Sequence, residues 1–276
     1  MGRGSVGQQY RSIWISDVHL GTRACKADFL LDFFRHTESE YLYLVGDIVD
    51  GWRMRRSWYW EQSHNDVIQK TLRKARKGTR VFYIPGNHDD WLRDYADHEM
   101  GGIELQLDAV HVTADQRRLL VTHGDAFDAA VTYARWLVRF GDHASEWMLA
   151  LNHLLNRARR GLGLPYWSLS GFVKANLGSA ADYIRAFECV VADEARRRRF
   201  DGVVCGHIHQ PRIRDIDGAL YCNDGDWVEN CTALVEHFDG RLEILEWAGV
   251  RTPTDPPAAP FDEPEPEPKV LETVDA

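Results

Sequence analysis

The sequence lacks the features that mark several large classes of protein. No apolar run approaches the roughly 18 residues that a membrane-spanning helix requires, and no internal repeat is visible. The N-terminal residues contain no apolar segment of the kind found in secretory signals, so we expect a cytoplasmic protein. The five cysteines form no CxxC pair and are odd in number. This favours reduced structural thiols over disulfides, a zinc ribbon or a thioredoxin-like centre.

Proline is scarce except near the C-terminus, where residues 252–276 contain most of the 10 prolines. This segment is also acidic and has few large apolar side chains, so it cannot bury enough surface to fold. We therefore predict one globular unit over residues 10–250, followed by a disordered acidic tail over residues 252–276.

The net charge of −9 argues against duplex DNA as the main partner. Most of the negative charge lies in the tail, and basic residues cluster at 53–56, 73–77, 157–160 and 196–199. Such clusters suit phosphate groups or an anionic membrane surface, although most clusters of this kind are solvated helix faces.

Short apolar runs alternate with longer amphipathic stretches, and 44% of the residues are hydrophobic, which is typical of a globular protein. Five runs stop at Gly, Pro or an acid, as buried strands do. These runs are SIWIS (12–16), YLYLVG (41–46), RVFYIPG (80–86), RLLVTHG (118–124) and DGVVCGH (201–207). A helix is predicted over Ser57–Lys77. A final strand pair is predicted over Gly218–Cys222 and Cys231–Trp247, with a turn at Asp239-Gly240. The alternation predicts an α/β layered fold.

Residues 126–199 interrupt this alternation, because no strand signal appears and the pattern becomes helical. Apolar side chains recur at spacings of three and four from Val131 to Leu155 and form one wide face. A second helix is predicted from about Ala180 to Arg199. Most of these apolar side chains are expected to pack on the core, but the surplus of Trp and Phe leaves room for an apolar groove. The groove would involve Trp136, Phe140, Trp147 and Met148, with Arg157, Arg159 and Arg160 near its end.

A polar motif follows each of the five predicted strands. The motifs are Asp17-Val18-His19, Gly46-Asp47-Ile48-Val49-Asp50, Gly86-Asn87-His88-Asp89, His123-Gly124-Asp125 and Gly206-His207-Ile208-His209. Ligands of open α/β folds bind beyond the carboxyl ends of the strands, so the motifs are expected to converge on one pocket. Alone, each motif is weak evidence, since a turn, a helix cap or surface histidines would explain it. Together and in this order they favour a functional site.

The residue types in these motifs favour a centre of two divalent metal ions. Carboxylate, imidazole and amide oxygen without thiolate suit Mn²⁺, Fe or Zn²⁺. Two cations about 3.5–4 Å apart need a shared anionic ligand, for which Asp47 is the candidate. Asp50 and Asp89 could orient the histidine ligands, with a helix cap as the alternative for Asp89. The glycines beside the motifs would let the backbone approach the metals closely.

The motifs resemble the signature of the calcineurin-like metallophosphoesterases over roughly residues 10–247. That resemblance implies a four-layer α/β/β/α sandwich and phosphoester hydrolysis by two divalent ions, with Mn²⁺ favoured and Fe, Zn²⁺ or Mg²⁺ as alternatives. The matching positions imply one metal held by Asp17, His19, Asp47 and His209, and a second held by Asp47, Asn87, His123 and His207. His88 matches the family's catalytic histidine.

Three further features resemble the UDP-2,3-diacylglucosamine pyrophosphatases of lipid A biosynthesis: GDIVDGW at 46–52, the helical insertion, and GDW at 225–227. The resemblance implies hydrolysis of a lipid-linked nucleotide sugar to UMP and an acylated sugar 1-phosphate. The insertion at 126–199 would form a cap over the acyl chains, with peripheral contact at the inner leaflet of the cytoplasmic membrane. The best-known branch of that group has Arg where this chain has His88.

Two alternatives remain open at this point. One is a phosphodiesterase or nuclease of the same superfamily that acts on another phospholipid, a nucleotide or a nucleic acid. The acidic chain and the apolar insertion argue against nucleic acid as the partner. The other is a metal-binding scaffold without catalysis, which would normally lack one of the ligands, and all seven matching positions are present.

Overall fold

Two β-sheets with helices on their outer faces make up residues 7–132 and 180–250, the part of the chain that the computed structural model describes. The strands are β1 Gln8–Ile15, β2 Thr37–Val45, β3 Arg80–Ile84, β4 Glu99–Met100, β5 Ile103–Leu105, β6 Ala109–Val112, β7 Arg118–Val121, β8 Gly202–Cys205, β9 Arg212–Ile216, β10 Ala219–Asn223, β11 Thr232–Glu236 and β12 Leu242–Glu246. The helices are α1 Ala27–His36, α2 Gly51–Met54, α3 Gln62–Arg76, α4 Ala180–Arg197 and α5 Trp247–Val250, with short 3₁₀ helices at Asp90–Tyr95 and Asp125–Phe127.

Parallel pairing occupies the centre of both sheets. The first sheet has the order β12-β11-β1-β2-β3-β5-β4, and the second has the order β6-β7-β8-β10-β9. Strands β1, β2 and β3 are parallel to one another, as are β7, β8 and β10, and antiparallel strands lie at the edges. Parallel strands end at the same edge of their sheet. The loops that carry the five motifs therefore leave each sheet at its carboxyl edge.

Successive side chains of a central strand point to opposite faces of its sheet, and this alternation produces a core in layers. Ile13 and Ile15 of β1 pack with α1 and α3, whereas Trp14 points between the two sheets. There Trp14 stacks on Tyr43 of β2, with 5.5 Å between the ring centroids. Helix α4 covers the outer face of the second sheet with Phe187 and its apolar neighbours. This arrangement confirms the predicted four-layer α/β/β/α sandwich.

The five predicted strands correspond to β1, β2, β3, β7 and β8, but one predicted helix begins later than expected. The helix predicted over Ser57–Lys77 starts at Gln62. The aromatic residues before it are held in other contacts, because Trp60 packs against the core and Tyr59 lies under the Arg23 guanidinium. Helix α1 and the short strands β4, β5, β6 and β9 had no corresponding sequence prediction.

The predicted C-terminal strands are real, but the structure assigns them to different sheets. Strand β10 pairs with β8 and β9 in the second sheet. Strands β11 and β12 form an antiparallel hairpin in the first sheet, with its turn at Asp239-Gly240. Gly240 has a φ of 87°, a conformation that glycine adopts without a steric penalty. The segment at Gly218–Cys222 therefore does not pair with the final hairpin.

Several predicted features lie partly or wholly outside the described residues. The groove residues from Trp136 to Arg160 and the tail at 252–276 are outside them, so the cap and the domain boundaries stay predictions. The helix expected after Ala180 is present as α4. Within residues 7–132 and 180–250, no helix combines the length and the apolar character needed to cross a membrane. All five cysteines are free thiols.

A buried polar network joins the two sheets beside Trp14. Glu236 is fully buried and accepts hydrogen bonds from Ser12 Oγ at 2.7 Å and Arg11 Nη1 at 2.8 Å. His111, from the facing sheet, places Nε2 2.8 Å from Glu236 Oε2 and Nδ1 3.0 Å from the Tyr43 hydroxyl. Burial would raise the pKa of Glu236, but the hydrogen bonds from His111 and Ser12 outweigh it and hold the pKa below its ordinary value.

Replacing Glu236 with Gln should lower the free energy of unfolding by about 3 kcal/mol, because Arg11 then loses the partner of its charge in a buried network. Urea unfolding followed by tryptophan fluorescence measures the change, and Glu40→Gln, which changes an exposed carboxylate, is the control. Folding lowers the pKa of Glu236, so its contribution is present above about pH 4.3, the pKa of a free Glu, and is lost in acid. A difference between wild type and variant that stays constant as the solution is acidified would contradict this assignment.

Candidate metal centre and active site

The loops after β1, β2, β3, β7 and β8 bring the five motifs to one cleft of about 950 Å³. Six of the predicted site residues line the cleft: His19, Asp47, Asn87, His88, His207 and His209. The other two, Asp17 and His123, are buried beside them. Both sheets contribute to the site, since β7 and β8 belong to the second sheet.

Backbone strain is concentrated at these residues. Five site residues have left-handed backbone conformations, with φ values of 50° at Asp17, 53° at His19, 54° at Asp47, 69° at His207 and 54° at His209. Such a conformation costs a non-glycine residue of order 1 kcal/mol. The chain therefore turns sharply at the strand ends, at a cost in conformational free energy. Strained backbone of this kind is typical of functional sites.

Asp17, His19 and His209 form the first of three close groups, in which one ligand atom of each residue lies within 4.8 Å of the others. Asp17 Oδ1 lies 3.1 Å from His209 Nε2 and 3.9 Å from His19 Nε2, yet it is buried without a hydrogen-bond partner. Its Oδ2 accepts hydrogen bonds from Ser16 Oγ at 2.6 Å and the His207 backbone N–H at 2.8 Å. Burial would raise the pKa of Asp17, but the nearby imidazoles, His209 first among them, hold it well below its ordinary value.

Asp47 belongs to the other two groups, with His19 and His88 in one and with Asp17 and His123 in the other. Its Oδ2 lies 3.5 Å from His123 Nε2 and 4.0 Å from the Nε2 atoms of His19 and His88. Its Oδ1 accepts the His88 backbone N–H at 2.8 Å. Burial would raise the pKa of Asp47, and His123 reverses the effect and lowers it. Asp47 Oδ2 is therefore the oxygen that the largest number of imidazoles face.

The tautomer of neutral His123 is fixed by its backbone contact. Nδ1 lies 2.8 Å from the Val45 carbonyl oxygen and must donate to it, because a carbonyl only accepts. Nε2, which then carries the lone pair in the neutral ring, is buried without a hydrogen-bond partner and faces Asp47. Burial alone would lower the pKa of His123, but Asp47 outweighs it and raises the pKa to about 10.

Asp50 holds two of the imidazoles. Its Oδ2 is hydrogen-bonded to His19 Nδ1 at 3.0 Å, and its Oδ1 lies 3.0 Å from His88 Nδ1. A carboxylate at one ring nitrogen turns the other nitrogen away from it, here toward Asp47. The same carboxylate raises the pKa of His88. This is the orienting contact that the sequence analysis predicted for Asp50.

Asn87 and His207 share the cleft but lie outside the three close groups of His and Asp side chains. Asn87 is exposed on the cleft wall. His207 places Nε2 3.0 Å from Asp128 Oδ1, and its ring lies 5.2 Å from that of His123. The assignment of both residues as ligands of a second metal stays a prediction.

Two glycines beside the motifs are required by space. A Cβ atom at Gly86 would lie 2.7 Å from His123 Nε2, and one at Gly206 would lie 2.6 Å from Asp17 Oδ2. Such distances are shorter than van der Waals contact, so any side chain there would displace a site residue. The glycines therefore permit the close approach of backbone to the site that the sequence analysis predicted.

A model of the family described as calcineurin-like phosphoesterase matches residues 10–211. The chain belongs to this family. The match confirms the predicted family and, with the hydrolase names of its relatives, a metal-dependent hydrolase.

Two curated relatives match this chain over most of its length. A protein from Azotobacter vinelandii named UDP-2,3-diacylglucosamine hydrolase is 28% identical and covers 83% of this chain and 95% of its own. A protein of the same name from Porphyromonas gingivalis is 29% identical over 84% of this chain and 95% of its own. A solved phosphoesterase structure from E. coli is 15% identical, covers 85% of this chain and 98% of its own, and has a TM-score of 0.41.

The side chains present fit the divalent metals that this phosphoesterase family implies. Asp17 Oδ1 and His123 Nε2 are buried, lack hydrogen-bond partners and lie in one group with Asp47. Carboxylate oxygens and imidazole nitrogens that face one another without hydrogen bonds are atoms that a cation would join. The donors are hard or intermediate, with no thiolate among the three groups, which suits Mn²⁺, Fe or Zn²⁺.

Sequence reasoning missed how Asp89 works in this phosphoesterase. Its side chain makes no helix-cap hydrogen bond. Instead, Oδ1 accepts the Gly86 N–H at 2.6 Å, and Oδ2 accepts the Ile48 N–H at 2.9 Å and the Tyr83 hydroxyl at 2.5 Å. Burial raises the pKa of Asp89, and the charge of Asp47 adds to this. Asp89 therefore ties the loop that carries Asp47 to the loop that carries Asn87.

Ser16 and Asp128 are also contacts of site residues that the sequence did not reveal. Ser16 Oγ lies 2.6 Å from both Asp17 Oδ2 and Asp224 Oδ1, and Asp128 contacts the ring of His207. Ser16 directly precedes the first motif at the end of a buried strand, and this position could have identified it as a neighbour of the site. Asp128 has no such signal, because it lies beyond the fourth motif in a segment that reads only as helical.

Replacing Asp89 with Asn should weaken Mn²⁺ binding and lower the free energy of unfolding by about 2 kcal/mol. The amide NH₂ group would meet backbone N–H groups that need an acceptor. Thermal unfolding and isothermal titration calorimetry with Mn²⁺ measure the two effects, and Asp90→Asn, an exposed neighbour, is the control. Wild-type stability and Mn²⁺ affinity in the Asp89→Asn protein would refute the anchoring role.

Proposed function

We propose that this phosphoesterase uses two divalent metal ions to hydrolyse the pyrophosphate bond of UDP-2,3-diacylglucosamine, yielding UMP and the acylated sugar 1-phosphate. The observation that carries the proposal is the set of His and Asp side chains around Asp47 Oδ2, at the carboxyl ends of strands from both sheets. The printed names of the relatives support the substrate, since those that match most of this chain are called UDP-2,3-diacylglucosamine hydrolase.

The two proposed metal sites share Asp47. One would be held by Asp17, His19, Asp47 and His209, and the other by Asp47, Asn87, His123 and His207. The directions of two buried atoms support these assignments, since His123 Nε2 faces Asp47 and Asp17 Oδ1 faces His209 and His19. For His207, whose Nε2 faces Asp128, the nitrogen left for a metal is Nδ1. When bound, divalent ions would supply Lewis acidity that lowers the pKa of water and neutralises phosphate charge.

The protein's own residues would orient the substrate and the proton donor. Asp50 fixes the rings of His19 and His88, and Asp89 fixes the two loops beside Asp47. His88 lines the cleft with Nε2 directed to the same carboxylate as the metal ligands. From there it would contact the reacting phosphate and donate a proton to the leaving oxygen. Its neighbour Asn87 would contribute to the second metal site.

The lipid part of the proposed substrate would be bound by the insertion at 126–199. The apolar face that the sequence predicts from Trp136 to Met148, with Arg157, Arg159 and Arg160 near its end, suits acyl chains beside a phosphate head group at a membrane surface. Remote contacts of this kind position the reacting centre. Mn²⁺ as the metal and peripheral contact with the inner leaflet of the cytoplasmic membrane belong to the same proposal.

Incubation of the purified protein with UDP-2,3-diacylglucosamine and Mn²⁺ should release UMP and diacylglucosamine 1-phosphate, detected by mass spectrometry. Asp47→Asn should abolish the release, because the shared anionic ligand is lost. Asp94→Asn, which removes an exposed carboxylate, should leave it unchanged. Equal turnover of the deacylated UDP-sugar would contradict the lipid assignment, and release of nucleotides from RNA or DNA instead would favour the nuclease alternative.

His88→Ala should retain the metal content of the wild type while kcat falls by roughly 100-fold, as expected for loss of a proton donor. Elemental analysis and steady-state kinetics measure the two quantities separately, and His98→Ala at an exposed position is the control. The position of His88 Nε2, 4.0 Å from Asp47 Oδ2, also permits a ligand role. Loss of one metal equivalent in the variant would establish that role and refute the catalytic one.

A further inference from the structure

The wall of the cleft beyond the metal-ligand candidates is basic and aromatic. It is formed by residues 21–24 and by the segment from Trp52 to Tyr59, and Arg23, Arg53 and Arg56 are its basic residues. None of these arginines belongs to the five motifs or has a part in the proposed hydrolytic chemistry.

This wall is held in place by contacts to the site itself. Leu20 forms a parallel β-bridge with Val49, and the Asp50 N–H donates to the Leu20 carbonyl at 2.8 Å. The Gly21 N–H donates to His64 Nδ1 at 3.2 Å. A Cβ atom at Gly21 would lie 2.6 Å from Met54 Cγ, so this loop packs directly against α2. The wall therefore has a defined position relative to Asp50 and the imidazoles that it orients.

Two guanidinium groups of the wall are stacked on aromatic rings. Arg56 lies over Trp52 at 4.1 Å from the ring centroid, and Arg23 lies over Tyr59 at 4.7 Å. Within residues 7–132 and 180–250, neither guanidinium forms an ion pair with a carboxylate. Stacking restricts the plane of a guanidinium but leaves its in-plane N–H donors available. Both groups therefore keep their charge and their donors for another partner.

Trp52 links the Arg56 guanidinium to His88, the proposed proton donor. The ring centroids of Trp52 and His88 are 5.5 Å apart, and the Arg56 guanidinium lies 4.1 Å from the Trp52 ring. Both groups contact the same indole ring, so the distance between the His88 ring and the Arg56 guanidinium is limited by these two distances. A group joined directly to a phosphate at His88 is thus within reach of the basic wall.

We propose that Arg23 and Arg56 form a second anion-binding subsite, which holds the phosphate of the substrate that is not attacked. The inference rests on the proposed function, because it assigns the second phosphate of a pyrophosphate-linked substrate to a place in the same cleft. Guanidinium groups bind phosphate oxygens through paired N–H donors. The wall would thereby make the enzyme selective for a substrate with two adjacent phosphates over a simple monoester or diester.

Equilibrium binding of UDP and UMP, measured by isothermal titration calorimetry in the presence of Mn²⁺, tests the subsite without turnover of the proposed substrate. Wild type should bind UDP about tenfold more tightly than UMP, as expected for charge-assisted hydrogen bonds to one further phosphate. Arg23→Ala and Arg56→Ala should each reduce UDP affinity by about tenfold and leave UMP affinity nearly unchanged. Arg56→Lys, which keeps the charge but not the planar fork, should restore only part of the loss.

Arg55→Ala is the matched control, because Arg55 is exposed beside Arg56 and does not line the cleft. Thermal unfolding checks that each variant remains folded. The proposal is overturned if wild type shows no preference for UDP, if Arg55→Ala has the same effect as Arg56→Ala, or if the variants lose affinity for UDP and UMP equally. A preserved preference for UDP in a protein that hydrolyses no pyrophosphate bond would instead refute the proposed function and leave the subsite standing.

Discussion

The carboxylate of Asp47 is the group on which the site of this phosphoesterase depends. It is buried, and the Nε2 atoms of His19, His88 and His123 lie 3.5–4.0 Å from its Oδ2. Asp17 lies in the same group, so two carboxylates share a region of low dielectric constant. Like charges in such a place repel strongly unless cations or protons offset them. The loops, glycines and anchoring carboxylates around the site hold this otherwise unfavourable arrangement together.

The strands that lead into these loops supply the scaffold on which the arrangement rests. The strands that lead into the site are buried on both faces, and their order fixes where each loop begins. Asp89 then locks two of the loops through backbone N–H groups that are about 40 residues apart in sequence. With the strand ends and this contact in place, left-handed conformations at residues such as Asp17 and His209 can persist.

The sequence predicts the central strands because a strand buried on both faces reads as a short continuous apolar run. It predicts the site residues because each follows such a run directly. It does not predict that β10 and the hairpin β11–β12 enter different sheets, since periodicity within a strand carries no information on its partner. Nor does it predict the Asp89 contacts. Its partners include backbone N–H groups, and every residue except proline has one, so the sequence does not show which of them Asp89 contacts.

The charged groups of the cleft lie in two separate regions. Asp17, Asp47 and Asp50 place three carboxylates on the floor of the site, and they raise the pKa values of facing imidazoles such as His88 and His123. The stacked arginines lie on the wall next to His88, where they would attract a phosphate. Under the proposed function, this separation would place the reacting phosphate on the carboxylate-rich, metal-binding side of the cleft and its neighbour on the basic side.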